Sequence, residues 1–466
     1  MKIFEDREGH IQQKGEAAAP LSCSNESLAG AVSQRACVYS GARVVLNPVT
    51  DALHLVHGPI GCASYTWDIR GSLTSGPDLY KNSFSTDMKE LDVVFGGEKK
   101  LALAIRELVG GYHPSAVFVY STCIVGIIGD DLRAVCKKAA EEVGIPVVPV
   151  LSEGFRGNKN EGYKAACNAL FDLMGTRDYE PCYPAVNLLG EYNVAGDLWP
   201  VKPLFEEMGV EIVASFTGDA RVAEIQRAHC ARLNLVQCSG SMTFLAKKME
   251  ERYDIPYKRI SFFGLEDMAS ALRCTAEFFG GSMPSKAEEI IDRETARVMP
   301  QIEYHRSRVS GKKAAIYMGG AAKAVSLVRA FQELGMEVVI IGTQTGDRDD
   351  YQKISYMVRD GTVIIDDANP LELKELLIRQ EADLLVAGVK ERFLAYKLKI
   401  AFCDFNHDRT TNFEGFQGMV NFAREVDVSI NSPVWRLPLE RASRINNKTP
   451  LSLGAGVLDV HELCSS

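Results

Sequence analysis

Four cysteines stand where the local sequence gives a thiol something to do. Cys37 lies in "QRACVYSGAR", at a polar-to-apolar transition. Cys62 lies in "HLVHGPIGCASYTW", a Gly/Pro turn that leaves backbone amides free. Cys123, in "VYSTCIVGIIGDD", and Cys238, in "LNLVQCSGSM", each end a short apolar run and are followed by glycine within three residues. A thiol at the carboxyl end of a strand, beside unpaired amides, can be a buried filler, a nucleophile or a metal ligand. Free amides there can also donate to the sulfides of an iron–sulfur cluster and tune its potential. The spacings match no compact zinc or ferredoxin pattern, and the chain has no C-x-x-C. Residue type and spacing alone leave all three roles open. The other eight cysteines (Cys23, Cys136, Cys167, Cys182, Cys230, Cys274, Cys403 and Cys464) read as packing or exposed thiols.

Weaker signals accompany them. "MGGAA" is glycine-rich but matches neither dinucleotide nor P-loop patterns, and reads as a tight strand-to-helix turn. "VFGGEKKLALAIREL" sets Gly96 and Gly97 before a charged helix start, a turn plus a solvated face or a docking surface. His407, in "CDFNHDRT", is a polar-loop histidine. No Ser-His-Asp order, H-E-x-x-H or glycosidase carboxylate pair can be argued from spacing.

The elements that must position these residues alternate. "SAVFVYSTC" is a strand, "GDDLRAVCKKAAEEVG" a helix with two aspartates in its first turn, "IPVVPV" a strand and "GYKAACNALFDLMG" a helix. This βαβα order predicts a parallel sheet covered on both faces. The pattern recurs twice more. The expected fold is α/β, with three doubly wound parallel-sheet domains over residues 36–185, 186–305 and 306–435. An irregular arm precedes them at 1–35 and a tail follows at 436–466. In such folds ligands gather at the carboxyl ends of strands.

Bulk properties exclude several roles. The 466 residues suffice for about three domains at roughly 150 residues each. A net charge of −9 gives no footprint for nucleic acid or an acidic membrane. No apolar run reaches the roughly 20 residues of a membrane helix, and the charged start "MKIFEDREGH" lacks a signal-peptide core. The expected compartment is the cytoplasm, where thiols stay reduced.

Six ordered segments carry a resemblance: "HGPIGC", "TDMKELDVVFGGEKKL", "STCIVGIIGDD", "SEGFRGNK", "NLVQC" and "GFQGMVNFAREVD". From about residue 35 to "NSPVW" at 431–435 the chain resembles the α-type subunits of nitrogenase component 1 and its relatives. The resemblance implies three α/β domains with metalloclusters between them. It implies an α2β2 complex with a homologous β-type (NifN-like) subunit, and electrons from an ATP-hydrolysing NifH-like iron protein. Cys37, Cys62 and Cys123 match the ligands of an interface iron–sulfur cluster shared with the β-type subunit, either a [4Fe-4S] cluster or an eight-iron P-cluster. Cys238 matches the single cysteine that holds a large iron–sulfur cluster, an L-cluster or one like the FeMo-cofactor.

Departures from the catalytic pattern are informative. Glu414 stands where the catalytic subunit has a far-side histidine ligand. Tyr163 and Lys164 stand for its paired histidines, and "AAK" replaces its cofactor-gripping arginines. Arg70 matches a pocket arginine, and His407 lies near the far end of the matched pocket. This pattern is similar to the cofactor-assembly scaffold branch of the family. The alternative is a nitrogenase-like reductase of the methylthio-alkane type, which cleaves carbon–sulfur bonds; whether the chain is an enzyme stays open at this point.

Overall fold

The computed structural model describes residues 8–15, 21, 36–66, 82–175, 183–406 and 409–436. Its first strand, β1 (Ile11–Gln13), belongs to the last sheet of the chain and not to an irregular lead-in. It pairs antiparallel with residues 363–365. Three residues are too few to show a period-2 pattern, so this edge strand is invisible in sequence.

The first sheet is built from β2 (Ala52–His57), β3 (Ser83–Ser85), β4 (Ala116–Ser121) and β5 (Val147–Val150). It is parallel, in the order β3-β2-β4-β5. Its helices are α1 (Val38–Leu46), α2 (Ile60–Tyr65), α3 (Glu90–Phe95), α4 (Glu98–Tyr112), α5 (Cys123–Ile128), α6 (Leu132–Val143) and α7 (Lys159–Leu173). Strands β2 and β4 are buried along their whole length, as near-continuous apolar runs in a doubly covered sheet require. Their side chains divide by parity. Leu53, Leu55, Val117 and Val119 pack under α4 and α6 through Leu101, Ile105 and Leu132. Val56, Phe118 and Tyr120 face the other way, into a core shared with α7 and the second sheet.

The second sheet contains β6 (Ala185–Glu191), β7 (Glu211–Thr217), β8 (Leu233–Val236) and β9 (Tyr257–Arg259), parallel in the order β7-β6-β8-β9. With it run α8 (Lys202–Met208), α9 (Val222–Arg227), α10 (Ser239–Tyr253) and α11 (Leu265–Phe279). The long α12 (Met283–Val309) leads to the third sheet. There β10 (Lys313–Met318), α13 (Ala321–Glu333), β11 (Glu337–Thr343), α14 (Arg348–Met357), β12 (Val363–Asp366), α15 (Pro370–Arg379), β13 (Leu384–Ala387), α16 (Val389–Leu398), β14 (Ala401–Asp404) and α17 (Gly415–Ile430) follow in turn. The order is β1-β12-β11-β10-β13-β14. Residues Asn431–Ser466 form a unit of their own, of which a short 3-10 turn at Pro433–Arg436 is described. Among the described residues, no helix is long and apolar enough to cross a membrane.

One expected helix start differs. The helix expected from residue 129 begins at Leu132, with Asp131 as its N-cap: Asp131 Oδ1 accepts from Ala134 N at 3.0 Å. Asp130 stays outside the helix and turns toward His57. A short polar side chain can bond its own backbone better as a cap than inside a first turn.

The chain reverses its winding once in each sheet: between β2 and β4, between β6 and β8, and between β10 and β13. Loops at such a reversal run apart and leave a crevice at the carboxyl ends of the strands. Cys62 and Cys123 follow β2 and β4, and Cys238 follows β8.

Helices α1 and α7 cross at van der Waals distance through two glycines. A Cβ on Gly162 would lie 2.0 Å from Val38 O, and one on Gly41 2.1 Å from Lys159 O. This crossing fixes α1, and with it Cys37 at its N-cap. We expect Gly162→Ala to cost about 1–3 kcal/mol, because backbone must move to admit a methyl group. Gly110→Ala, on the exposed side of α4 with nothing within 4 Å, should instead stabilise. Thermal unfolding of the two variants checks this; shifts of the same sign would refute the close-crossing account.

Candidate metallocluster sites

Cys37, Cys62 and Cys123 come together. Cys37 is the N-cap of α1 and bridges to Asn158; Cys62 sits on α2, and Cys123 opens α5. Gly154 lies against Cys37 and Cys123. A Cβ there would lie 3.0 Å from Cys123 Sγ and 3.7 Å from Cys37 Sγ. Burial, then the neighbouring Cys123 and Cys37, push the Cys62 thiol up. Cys37 and Cys123 are exposed and Cys62 is half-buried. Among the described residues, no group of three or more His, Cys, Asp or Glu side chains forms a site for a single metal ion. Three neighbouring thiols, two of them against a bare glycine, do fit a larger iron–sulfur cluster, whose ligands stand further apart than those of one ion.

The surface around the thiols is apolar. Ile60 and Tyr65 flank Cys62, Ile127 lies on α5, Phe155 follows Gly154, and Leu91, Val94 and Phe95 project from α3; all are exposed. Helix α3 packs on α5. So many large apolar side chains around a group of thiols mark an interaction face.

Cys238 occupies a different setting. It is the N-cap of α10, which has no side-chain cap, and it lies against Gly190 of β6. A Cβ on Gly190 would stand 2.6 Å from Cys238 Cβ, and Gly190 has φ +91, so glycine is required twice over. Next to the thiol, Gln237 Nε2 donates to Glu191 Oε2 at 2.9 Å and to Glu414 Oε1 at 2.8 Å. One amide thereby joins the end of β6, the end of β8 and the segment entering α17. Asp197 and Arg409 form a buried bidentate pair, both contacts 2.6 Å. Lys323, in the first turn of α13, is a second cation near this group.

The electrostatics follow from burial. Burial, then Glu191 and Asp197, push the Glu414 carboxyl well above the usual carboxylate range; Lys323 and Arg409 oppose this in part. Burial likewise raises Glu191. Burial raises Asp197 too, but Arg409 more than reverses it, so its carboxyl ends below the usual range. The arrangement is an ionised Asp197–Arg409 pair beside two glutamates that share one amide. Three atoms there have no hydrogen-bond partner among the described residues: Gln237 Oε1, Glu414 Oε2 and Arg409 Nε. Orphaned buried polar atoms beside a half-buried thiol and a bare glycine fit a bound group with its own polar atoms. A cavity of about 430 Å³ is lined by Gln237 and Ser239, the chain neighbours of Cys238, with Arg259, Arg329, Asp350 and Lys353 among others.

The remaining expected residues divide. Glu414 does stand beside the Cys238 segment. Tyr163 is buried in the core around α7 with Lys159 over its ring, and Lys164 is a half-exposed cation paired with Glu161 at 2.7 Å. Arg70 and His407 lie outside the described residues. Of the other cysteines, Cys136, Cys167, Cys230 and Cys403 are buried and Cys274 half-buried, while Cys23, Cys182 and Cys464 are outside the description. Sequence reasoning missed Glu191, Gln237, Asp197 and Arg409. Gln237 was in plain view beside Cys238, and a glutamate ending an apolar run was the available signal for Glu191. Nothing local pairs Asp197 with a residue 212 positions away.

The chain is similar to known proteins over most of its length. Residues 37–431 match the family model "Nitrogenase component 1 type Oxidoreductase". A protein of Methanosarcina barkeri named "Nitrogenase iron-molybdenum cofactor biosynthesis protein NifE" is 63% identical, covering 94% of this chain and 98% of the relative. One of the same name from Clostridium pasteurianum is 54% identical, covering 93% and 97%. A solved structure, "Nitrogenase Cp1 at pH 6.5", superposes with a TM-score of 0.86 at 31% identity, over 94% of this chain and 96% of that one.

One ionisable group at the cavity yields a sign. Burial, then Asp347, raise Asp350, whose Oδ1 accepts from Ser239 Oγ at 3.5 Å, to about 6. The folded state thus holds this proton more tightly than the unfolded chain. Stability from this group is full below the ordinary carboxylate value and is lost as pH rises through about 6. Asp350→Asn should therefore stabilise the protein by about 1–3 kcal/mol near pH 8, a gain that shrinks toward pH 5. Thermal unfolding across that range checks it; a gain that grows on acidification would refute it.

Proposed function

Because the chain belongs to the nitrogenase component 1 type oxidoreductase family, we propose that it is the α-type subunit of a scaffold on which the nitrogenase iron–molybdenum cofactor is assembled. The observation that carries this reading is the end-to-end match to relatives named as NifE cofactor biosynthesis proteins. These relatives do not favour the alternative, a reductase of the methylthio-alkane type.

The large iron–sulfur cluster is the cargo. Cys238 would anchor it by one thiolate, at the reversal between β6 and β8, where Gly190 lets the backbone and Cβ of Cys238 pack directly onto β6. Glu414 would close the far side. Its free oxygen is the nearest counterpart to a ligand, and Gln237, itself anchored on Glu191, holds the other oxygen in place. A carboxylate tied into a hydrogen-bond bridge can hold or release a partner with a proton's help, which suits a site that must pass its contents on. Arg70, Tyr163, Lys164 and His407 are assigned to the same pocket on the resemblance alone.

The second cluster is resident. Cys37, Cys62 and Cys123 supply three thiolates, and an iron–sulfur cluster needs more ligands than three. The rest would come from a homologous β-type, NifN-like chain covering the part of the apolar face around Cys62, Ile127 and Phe155 and leaving α3 open, giving α2β2. An ATP-hydrolysing NifH-like iron protein would deliver electrons through the α3 side of that face, in the cytoplasm.

Two measurements test this. Cys238→Ala should abolish loading of the large cluster while the electron paramagnetic resonance signal of the interface cluster persists. Loss of both, or of neither, would sink the assignment. The loaded complex, mixed with cofactor-free nitrogenase, should pass its cluster on and restore that enzyme. Steady turnover of a volatile methylthio-alkane to methanethiol and hydrocarbon, with no transfer, would overturn the scaffold reading.

A further inference from the structure

The loops that carry Cys62 and Cys123 are tied to the exposed helix α3 through a side chain that is not a cluster ligand. Asp130 follows α5, and its carboxylate is almost fully buried. Its Oδ2 lies 3.1 Å from His57 Nε2 and accepts from Gly97 N at 3.0 Å; the same N–H reaches Oδ1 at 3.2 Å. Gly97 belongs to the turn directly behind Phe95, which at 82% exposure is the most exposed large apolar side chain among the described residues. His57 ends β2 and opens the Gly58-Pro59 turn into Cys62. Its Nδ1 is 3.0 Å from Thr86 Oγ1. Thr122, immediately before Cys123, donates from Oγ1 to His57 O at 3.0 Å. A second strap joins the two turns: Asp131 N donates to Glu98 Oε1 at 2.8 Å.

The hydrogen-bond roles are mutually consistent. Thr86 Oγ1 accepts from Gly58 N at 3.2 Å, so its hydroxyl proton is available for His57 Nδ1. His57 Nε2–H then donates to Asp130. Burial, opposed by Asp130, lowers the affinity of His57 for a second proton, in keeping with a neutral ring. Helix capping does not explain Asp130, because Asp131 already caps α6.

Packing around the node leaves little slack. A Cβ on Gly97 would stand 2.8 Å from His57 Cε1 and 2.9 Å from Asp130 Oδ2, and one on Gly58 2.2 Å from Thr122 Oγ1. A shift of the Gly96–Gly97 turn is therefore felt by the loops of both cysteines, through direct contacts with the Asp130 carboxylate and the His57 ring. Close-packed elements pass displacement on in this way rather than absorb it.

We propose that Asp130 is a positioning residue that couples docking of the ATP-hydrolysing iron–sulfur reductase on α3 to the geometry of the cluster held by Cys37, Cys62 and Cys123. In the coupled step one electron leaves the reductase's cluster, which is oxidised, and the interface cluster is reduced by it. Asp130 touches neither cluster. The inference rests on the reductase and interface cluster proposed above.

The test uses the full complex with its β-type partner. Asp130→Ala removes the contacts to both Gly97 and His57. Asp130→Asn fills the same space and keeps an acceptor for Gly97 N–H. Reduction of the interface cluster is followed by electron paramagnetic resonance after mixing with reductase and ATP, and separately after adding a small chemical reductant. Asp130→Ala should retain the cluster and its chemical reduction, while reductase-driven transfer slows about tenfold. Asp130→Asn should recover most of that rate. An unchanged reductase-driven rate in Asp130→Ala overturns the proposal. So does loss of the cluster from both variants, which would make Asp130 a brace alone. A wild-type complex that takes electrons from the chemical reductant but none from the reductase would instead refute the parent reading, and the inference falls with it.

Discussion

A parallel sheet that reverses its winding cannot close its own end. Where the chain leaves one strand toward one edge and returns on the other side, the two outgoing loops diverge, and the strand ends between them stay uncovered. The first and second sheets each have one such reversal, and each has a thiol in it. Cys62 and Cys123 come from the two strands that flank the first reversal. Cys238 and Glu191 come from the two that flank the second. Neither site needs an unusual fold. Each needs only that the residues placed at a gap the topology already makes be reactive ones, with a glycine nearby where the backbone must come close.

Around Cys238 the gap has been filled with charge. A buried ion pair such as Asp197–Arg409 is weak evidence for stability, since desolvation cancels most of its attraction. Its value lies in geometry. Asp197 also accepts from Phe413 N at 3.1 Å, so it pins the segment that carries Glu414. Gln237 then pins Glu414 to Glu191, and the chain neighbour of Gln237 is the thiol. The polar atoms left over, Gln237 Oε1, Glu414 Oε2 and Arg409 Nε, are buried without a hydrogen-bond partner among the described residues. Stability elsewhere in the chain comes from apolar packing, as with the ring cluster of Phe263, Phe405, Phe413 and Phe422 directly behind the site.

How much of this could be read from sequence depended on the range of the interaction. The alternation of β-branched runs with amphipathic helices is local, and it located β4, β5, β7, β8 and the parallel strands of the third sheet, but missed β2 and β6 as well as the three-residue strands. The strand at Ile11–Gln13 escaped because its pairing partner is some 350 residues away and its own three residues carry no period. The four cysteines were conspicuous because strand ends and glycine turns are local signals. Their grouping into a trio and a single thiol was not local; it came from the resemblance, and the folded chain sets Cys37 and Cys123 against Gly154 with Cys62 close to both. The grouping of the polar residues beside Cys238 was unreadable for the same reason. A Glu, a Gln and an Arg in three separate stretches look like solvated surface until the fold buries them together. Asp130 shows the reverse error: it reads as a helix-start residue by composition, and tertiary contact with His57 takes it for another purpose.

The apolar rim around the three thiols has a consequence for the life of the chain before any cluster arrives. Leu91, Val94, Phe95, Ile127 and Phe155 are held out by well-formed helices and turns, so folding does not hide them. A newly made copy thus completes its own fold and still displays the kind of surface that holdase chaperones and aggregates recognise. Such a polypeptide is safe only while its synthesis is matched in number and time to whatever covers it. Quality control would read an excess copy as misfolded although every sheet in it is correctly wound.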